Sequence, residues 1–272
     1  MPTASVNGTS LYYETSGSGA ALTLVMGLGC SARMWRWMEP LLTRHFRVLL
    51  FDNRGAGRSG KPDGAYTTEL FADDLQALLE TLHISTTHLL GASVGGMIAQ
   101  RFALKYPRSV ERLVLGCTMP NFFHLPPQPE ALEQLQKSLQ DSDLMMPLFV
   151  SERFISASPD RAEQLRNLLL QDQREQGQDA FFNQLSAAME HDTLSELSRI
   201  SAPTMVLCGD DDPMAPVENS RFLAQAIPRS TLTELPGIRH AFWVEGCEDA
   251  CAKICGFLAK PSCEAAGGPG MQ

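Results

Sequence analysis

Residues 91–95 read Gly-Ala-Ser-Val-Gly, directly after the apolar segment 88–90 and directly before a helical pattern over 96–105. A serine at the centre of a sharp strand-to-helix turn takes up a strained backbone conformation, and bulky neighbours two positions away would collide. The two glycines remove those side chains and leave Ser93 exposed at the N-terminus of the helix. A bare Gly-x-Ser-x-Gly string also occurs in ordinary turns. With these flanks, the string predicts a strand, a tight turn and a helix in that order.

Short apolar segments alternate with helical patterns over most of the chain. An Asn-Gly turn at 7–8 predicts a hairpin between the first two segments. We predict strands over 4–6, 10–15, 21–26, 47–51, 87–90, 113–117, 204–208 and 231–235. We predict helices over 34–43, 68–82, 96–105, 217–226 and 248–258. This order predicts an α/β fold with a mostly parallel central sheet, covered by helices on both faces.

The alternation stops between residues 118 and 200. That segment opens with several prolines, continues with helical patterns such as 131–139 and 161–170, and contains no strand pattern. We therefore predict a helical cap over 118–200, inserted into a core made of 1–117 and 201–260. The Gly-, Ala- and Pro-rich segment 261–272 is predicted to be disordered.

Composition excludes some classes of partner and location. The net charge of -9 and the lack of a basic cluster argue against nucleic acid as a partner. No segment approaches the ~20 apolar residues of a membrane span. Residues 1–12 lack the basic and apolar regions of a secretory signal, so we expect a cytoplasmic protein.

The seven cysteines are an odd number scattered along the chain, which favours reduced thiols over a disulfide framework. Cys247, Cys251 and Cys255 recur every four residues and share one helical face. Buried core packing is the favoured interpretation, ahead of a metal or redox role.

A serine hydroxyl is a weak nucleophile and needs a base that is itself oriented by an acid. His240, which follows the predicted strand 231–235, is the candidate base. The alternative interpretation is an ordinary histidine in a surface loop. Because the carboxyl ends of parallel strands share one edge of the sheet, His240 is expected near Ser93.

Three aspartates follow the predicted strand 204–208, at positions 210, 211 and 212. Two of them are expected to be solvated turn or helix-capping residues. Asp212 is favoured as the acid because Pro213 and Pro216 stiffen the segment after it. The chain order is then serine, acid, histidine.

Glycines flank Leu28 in the segment 27–29, directly after the predicted strand 21–26. A backbone N–H of this loop can join that of Val94 to form an oxyanion hole. An ordinary strand-ending turn is the alternative.

Together these motifs resemble the α/β-hydrolase superfamily, and more narrowly the group of esterases, 3-oxoadipate enol-lactonases and cofactor-free haloperoxidases. The resemblance rests on residues 25–29, 51–59, 91–96, 202–204, 212–216 and 237–240. It implies Ser93 as nucleophile, Asp212 as acid, His240 as base, and the N–H groups of Leu28 and Val94 as oxyanion donors. The chain departs from the group at Met26, where relatives often carry histidine.

The resemblance also implies a reaction. Dehalogenases and epoxide hydrolases of this fold use aspartate at the centre of this strand-to-helix turn, which is residues 91–95 here and is called the elbow below. Ser93 therefore favours acyl transfer to water from an ester or lactone, without metal or organic cofactor. The alternatives are hydrolysis of a carbon–carbon bond or an enol-lactone, and a ligand receptor that retains a slow hydrolase site. The sequence does not indicate an oligomeric state.

The expected substrate is a small, apolar ester or lactone. Its pocket would be lined by apolar side chains of the cap and the core, although each of these is as easily explained by packing. The candidates are Trp35, Met97, Met119, Phe122, Phe123 and Met145.

Overall fold

The computed structural model describes residues 2–138 and 142–259. Its strands are β1 (Thr3–Val6), β2 (Thr9–Gly17), β3 (Ala21–Val25), β4 (Arg47–Phe51), β5 (Thr87–Ala92), β6 (Val110–Gly116), β7 (Thr204–Gly209) and β8 (Ser230–Leu235). The described residues form one eight-stranded sheet in the order β1-β2-β4-β3-β5-β6-β7-β8. β2 is antiparallel to β1 and β4, and the remaining neighbours are parallel. The predicted α/β fold with a mostly parallel sheet is confirmed.

The helices lie mostly where the sequence pattern predicts them. They are α1 (Glu39–Leu42), α2 (Thr68–Thr81), α3 (Val94–Lys105), α4 (Pro129–Ser138), α5 (Met146–Phe149), α6 (Glu152–Ala157), α7 (Pro159–Gln176), α8 (Gln178–Met189), α9 (Val217–Ala226) and α10 (Cys247–Leu258). Short 3₁₀ helices span Ala32–Trp37, Pro107–Ser109, Ser142–Met145 and Leu197–Arg199.

One predicted helix is interrupted. The pattern over 34–43 folds as the 3₁₀ helix Ala32–Trp37 followed by the short α1. Pro40 has no N–H to donate to the carbonyl of Arg36, so a continuous α-helix cannot run through this segment.

The sheet is covered on both faces. Leu50, Leu24 and Leu90 are partners across β4, β3 and β5, and they enter an apolar cluster that includes one side of α10. Leu49 and Leu89, one position away along their strands, enter the opposite cluster with α2 and α3. Alternate side chains of each strand thus reach opposite faces, which explains why these strands are apolar throughout.

Between β6 and β7 the described residues contribute no strand to the sheet. They contain α4–α8, called the insertion helices below, and a single bridge between Asn121 and Asp192 joins the two ends of the segment. The predicted helix 131–139 begins two residues earlier, and Leu139 lies outside the described residues. The predicted tail 261–272, which includes Cys263, also lies outside them. No described helix has the length and apolar character needed to span a membrane.

The described cysteines are free thiols, as the sequence predicts. Cys247 and Cys251 lie in the apolar cluster with the rest of α10, and Cys255 packs against it.

The crevice of the sheet lies between β3 and β5. The chain leaves β3 for β4 on one side and later returns to β5 on the other, which makes this pair the point where the strand order reverses. In open α/β sheets, ligands bind outside the carboxyl ends of the strands at such a point. Segment 27–29 follows β3 and segment 91–95 spans the end of β5 and the start of α3, so the fold brings the two predicted site segments together.

Candidate active site

Ser93 lies between β5 and α3 with φ 56° and ψ -125°, in the positive-φ region that ordinary residues avoid. Its backbone is held on both sides. The N–H of Ser93 donates to the carbonyl of Gly116 at 2.9 Å, and its carbonyl accepts from Oγ1 of Thr118 at 2.7 Å. Such strain persists only where the surroundings impose it, and it is concentrated at functional sites.

The two glycines of the elbow are required by close packing. A Cβ on Gly95 would collide with the backbone of Val25 in β3, and a Cβ on Gly91 would collide with the backbone of Gly95. Gly27 is close as well, since a Cβ there would lie 2.8 Å from Cβ of Ser93. The elbow therefore packs directly against the loop that follows β3.

His240 and Asp212 form a buried pair at the carboxyl ends of β7 and β8. Nδ1 of His240 lies 2.8 Å from Oδ2 of Asp212, while Oδ1 of Asp212 accepts the N–H groups of Met214 at 2.8 Å and Ala215 at 3.0 Å. His240 is 3% exposed and Asp212 is 4% exposed. With its carboxylate held by two backbone N–H groups, Asp212 fixes the ring of His240 and leaves Nε2 as the nitrogen free for other contacts.

The two neighbouring aspartates make other contacts at the surface. Asp210 accepts the N–H of Gly237 at 2.5 Å, and Asp211 pairs with the Arg239 guanidinium at 3.0 Å. Of the three aspartates in this loop, it is Asp212 that bonds His240.

The pKa of His240 lies well above its ordinary value of 6.5. Burial is the largest single influence and lowers this pKa, but the charge and hydrogen bond of Asp212, aided by Cys117, raise it by more. Cys117 directly follows β6 with φ 39° and is fully buried. Sγ of Cys117, a carboxylate oxygen of Asp212 and a ring nitrogen of His240 lie within 4.8 Å of one another. Burial raises the pKa of the Cys117 thiol above its ordinary value.

One predicted oxyanion donor belongs to the elbow and the other to the loop after β3. Val94 is the first residue of α3, so its N–H has no acceptor within the helix. Leu28 is the second residue of a turn closed by the Cys30 N–H and the Gly27 carbonyl at 3.3 Å. The carbonyl of Met26, where the group often carries histidine, accepts Nδ2 of Asn53 at 2.8 Å. The end of β3 is thus supported without that histidine.

A cavity of about 180 Å³ opens onto Ser93 and His240. Its walls come from both the core and the insertion helices, and none of the described side chains that line it carries a permanent charge. The apolar lining side chains are Met26, Leu28, Leu135, Met145, Phe149, Leu169, Phe181, Phe182, Met214 and Trp243. Three amide side chains also line it, from Gln173, Gln176 and Gln178.

Of the six predicted pocket residues, Met145 lines this cavity. Trp35 is fully buried beside Trp243, with ring centroids 6.0 Å apart. Met97 and Met119 belong to the cluster on the α2 and α3 face of the sheet.

The two remaining predicted pocket residues, Phe122 and Phe123, contact each other, and Phe123 is 64% exposed. Apolar character alone predicted these positions. It does not tell which face of an inserted segment meets the site, because apolar side chains pack into the core and line pockets equally well.

The sequence did not identify Cys117 or the three glutamines as site residues. Cys117 reads as one more apolar position at the end of a strand. The glutamines lie on helical segments whose polar residues are typical of a solvated surface. They are more than 140 residues from the loop after β3 in the sequence, and no local pattern indicates that they approach it.

The parallel sheet, the strained serine elbow and the buried His–Asp pair together define an enzyme of the α/β-hydrolase class. The family model for the alpha/beta hydrolase fold matches residues 21–246. The chain belongs to this family, and the resemblance drawn from its motifs is confirmed.

Three similar proteins indicate the kinds of hydrolase around it. The chain is 35% identical over 254 residues to "Putative carbamate hydrolase RutD" of Yersinia enterocolitica, a match that covers 88% of each chain. The enol-lactonase from Burkholderia xenovorans LB400 superimposes with a TM-score of 0.84 at 26% identity, over 95% of this chain and all of that one. A thermophilic esterase from Thermogutta terrifontis superimposes with a TM-score of 0.80 at 29% identity, over 94% and 96%. The protein is therefore a hydrolase.

Proposed function

We propose that this hydrolase cleaves a small, uncharged carboxylic ester or lactone through an acyl-enzyme on Ser93. One observation carries the proposal: the strained Ser93 and His240, whose ring is bonded to the buried Asp212, line the same apolar cavity. A buried base oriented by a carboxylate, on the same cavity as a serine hydroxyl, is the arrangement that activates that hydroxyl for acyl transfer.

In the first step, Oγ of Ser93 adds to the substrate carbonyl carbon while its proton moves to Nε2 of His240. The carbonyl oxygen becomes an oxyanion that faces the N–H groups of Leu28 and Val94. The acyl C–O bond then breaks, and His240 returns its proton to the departing alkoxide. Water repeats the sequence on the acyl-enzyme, which releases the acid and restores Ser93.

Charge and size support the substrate class. A carboxylate in the cavity would lose its hydration and find no permanent cation among the described lining residues. A cavity of about 150 Å³ accepts benzene, so a space of about 180 Å³ suits a short acyl chain or a small ring.

We further propose that residues 118–200 act as a cap over a core of 1–117 and 201–260. The cavity walls support this division, because Met145 and Phe181 come from the first segment while Met26 and Trp243 come from the second. A substrate in the cavity would contact both parts.

Labelling with a fluorophosphonate tests the proposal, because Oγ of an activated Ser93 displaces fluoride from phosphorus. We expect wild-type protein to be labelled and to hydrolyse p-nitrophenyl butyrate, and Ser93→Ala and His240→Ala to lose both reactions. Absence of labelling and turnover in folded wild-type protein would falsify it. A panel that adds a carbamate, an enol-lactone and a diketone separates these reactions. A higher kcat/KM on the carbamate or the diketone would overturn the proposed substrate class, whereas a higher value on the enol-lactone would support a lactone over an open-chain ester.

A further inference from the structure

The loop after β3 is held from the insertion helices as well as from the core. Its N–H groups at Gly29 and Ser31 donate to side chains on α8 and α7: Gly29 to Oε1 of Gln184 at 2.9 Å, and Ser31 to Oδ2 of Asp172 at 2.7 Å. The next N–H, of Ala32, donates to Oδ1 of Asp52 in the core at 2.7 Å. Two of three anchors of this loop therefore come from residues more than 140 positions away.

Gln184 is fixed at both ends of its amide. Nε2 donates to the carbonyl of Arg54 at 2.7 Å, and Oε1 also accepts Nε2 of Gln176 at 3.0 Å. Reversing the amide would set its NH₂ against the Gly29 N–H and its oxygen against the Arg54 carbonyl, so one orientation is allowed. Both glutamines are buried, at 3% and 4% exposure.

Gly29 fits tightly against the same helices. Its φ is +71°, and a Cβ there would lie 3.1 Å from Oε1 of Gln176 and 3.3 Å from the Phe181 ring. The peptide that follows Leu28 is thus bound on one side and enclosed on the other. Moving Gln184 would release the segment that carries the Leu28 N–H.

We propose that Gln184 is a positioning residue, which holds the Leu28 N–H toward the oxyanion and so makes transition-state stabilisation depend on the docked insertion helices. The proposal rests on the function proposed above. Gln176 connects this network to the substrate, because it lines the cavity and donates a hydrogen bond to Gln184. A bound substrate therefore contacts the same hydrogen-bond network.

The test compares affinity for a transition-state analogue with affinity for a ground-state ligand. Oγ of Ser93 adds to the carbonyl carbon of a trifluoromethyl ketone with a propyl chain, and the adduct places an oxyanion in the oxyanion hole. The alcohol of the same chain binds without forming an oxyanion. Gln184→Met keeps the length of the side chain and removes its hydrogen bonds. Since removing one oxyanion donor costs about 100- to 1000-fold in kcat, displacing one should cost about 10- to 100-fold, with little change in KM.

The matched control is Gln100→Met, which removes another buried glutamine whose amide bonds the Met119 carbonyl and Thr193. We expect Gln184→Met to weaken ketone affinity about tenfold or more without affecting alcohol affinity, and Gln100→Met to change neither. Equal losses in both variants, or an unchanged ratio in folded Gln184→Met, would overturn the positioning role. If wild-type protein neither hydrolyses esters nor binds the ketone, the proposed function is wrong.

If Gln184→Met does not fold, Gln176→Met makes the same test because it loosens Gln184 without unpairing the Gly29 N–H. Gln173→Met is its control, since Gln173 lines the same cavity. We expect the ratio of ketone to alcohol affinity to fall about threefold in Gln176→Met and to stay constant in Gln173→Met. A constant ratio in both would refute the proposal.

Discussion

His240 must be neutral to accept the proton of Ser93. Burial lowers the pKa of His240, but Asp212 and Cys117 raise it by more, so the imidazole stays protonated to a pH above its ordinary value of 6.5. Activity should therefore be present above the folded-state pKa and be lost as the pH falls through it. We expect kcat/KM for p-nitrophenyl butyrate to fall about tenfold per pH unit below a midpoint above 6.5. A midpoint at or below that value would contradict the raised pKa.

Asp212 should matter far more than its two neighbours. Asp212→Asn removes the charge that stabilises the imidazolium and turns an amide toward Nδ1, so we expect a loss of about 1000- to 10000-fold in kcat. Asp210→Asn and Asp211→Asn change surface contacts at Gly237 and Arg239 and should stay within about threefold of wild type. Steady-state kinetics on the three purified variants measures this. Similar losses in all three would remove Asp212 from the role of acid.

At the scale of elements, the approach of α3 to β3 holds the elbow in place. A Cβ on Gly95 would collide with the backbone of Val25 and approach the carbonyl of Met26 at 2.8 Å, so α3 would have to move outward. We expect Gly95→Ala to lower the free energy of unfolding by about 1–3 kcal/mol, as overpacking does, and to abolish fluorophosphonate labelling.

Gly256 in α10 provides the matched control for Gly95. A Cβ there meets nothing within 4 Å, so Gly256→Ala should raise the free energy of unfolding by about 0.5–1 kcal/mol and leave labelling unchanged. Urea unfolding of both variants measures the two changes. An equally stable Gly95→Ala protein would show that the helix and strand are not in close contact.

The elements show which features a single sequence can predict. Strands β3–β8 lie within a few residues of their predicted bounds, because each is a short run rich in β-branched residues or leucine with Gly, Pro or charged residues near its ends. The helix predicted over 34–43 is interrupted because Pro40 cannot donate, an effect that the hydrophobic pattern does not contain.

The site divides in the same way. Its backbone parts follow from local pattern, since Ser93 and Leu28 stand where strands end. The contact between Gln184 and Gly29 spans 155 residues and depends on how α8 docks on the core. The periodicity of the sequence does not indicate how α8 packs on the core. For the same reason the sequence did not predict that Phe181 and Gln176 line the cavity, or that Phe122 and Phe123 do not. Side chains from inserted helices require the tertiary structure.

At the scale of the molecule, net charge and cavity chemistry act in the same direction. The chain carries a formal charge of -9, and Arg58 and Arg33 are already paired with acids, Arg58 with Asp52 and Arg33 with Asp172 and Glu175. The field of the protein therefore repels anions before they reach a cavity whose described lining residues include no permanent cation. Both effects favour neutral substrates.

Two esters of equal acyl length test this selectivity: p-nitrophenyl butyrate, which is neutral, and mono-p-nitrophenyl succinate, which carries a carboxylate. We expect kcat/KM to favour the butyrate about 100-fold, because the carboxylate would be desolvated without a partner.

Phe182 lines the cavity yet is 51% exposed, so Phe182→Arg should add a cation at the mouth and raise kcat/KM for the succinate about fivefold. That gain should shrink in 0.5 M NaCl, which screens partly exposed charges. Phe123→Arg is the control, since Phe123 is 64% exposed and does not line the cavity, and it should leave both rates unchanged. Equal wild-type rates on the two esters would show that an anion finds a partner in the cavity, and the neutral substrate class would then be wrong.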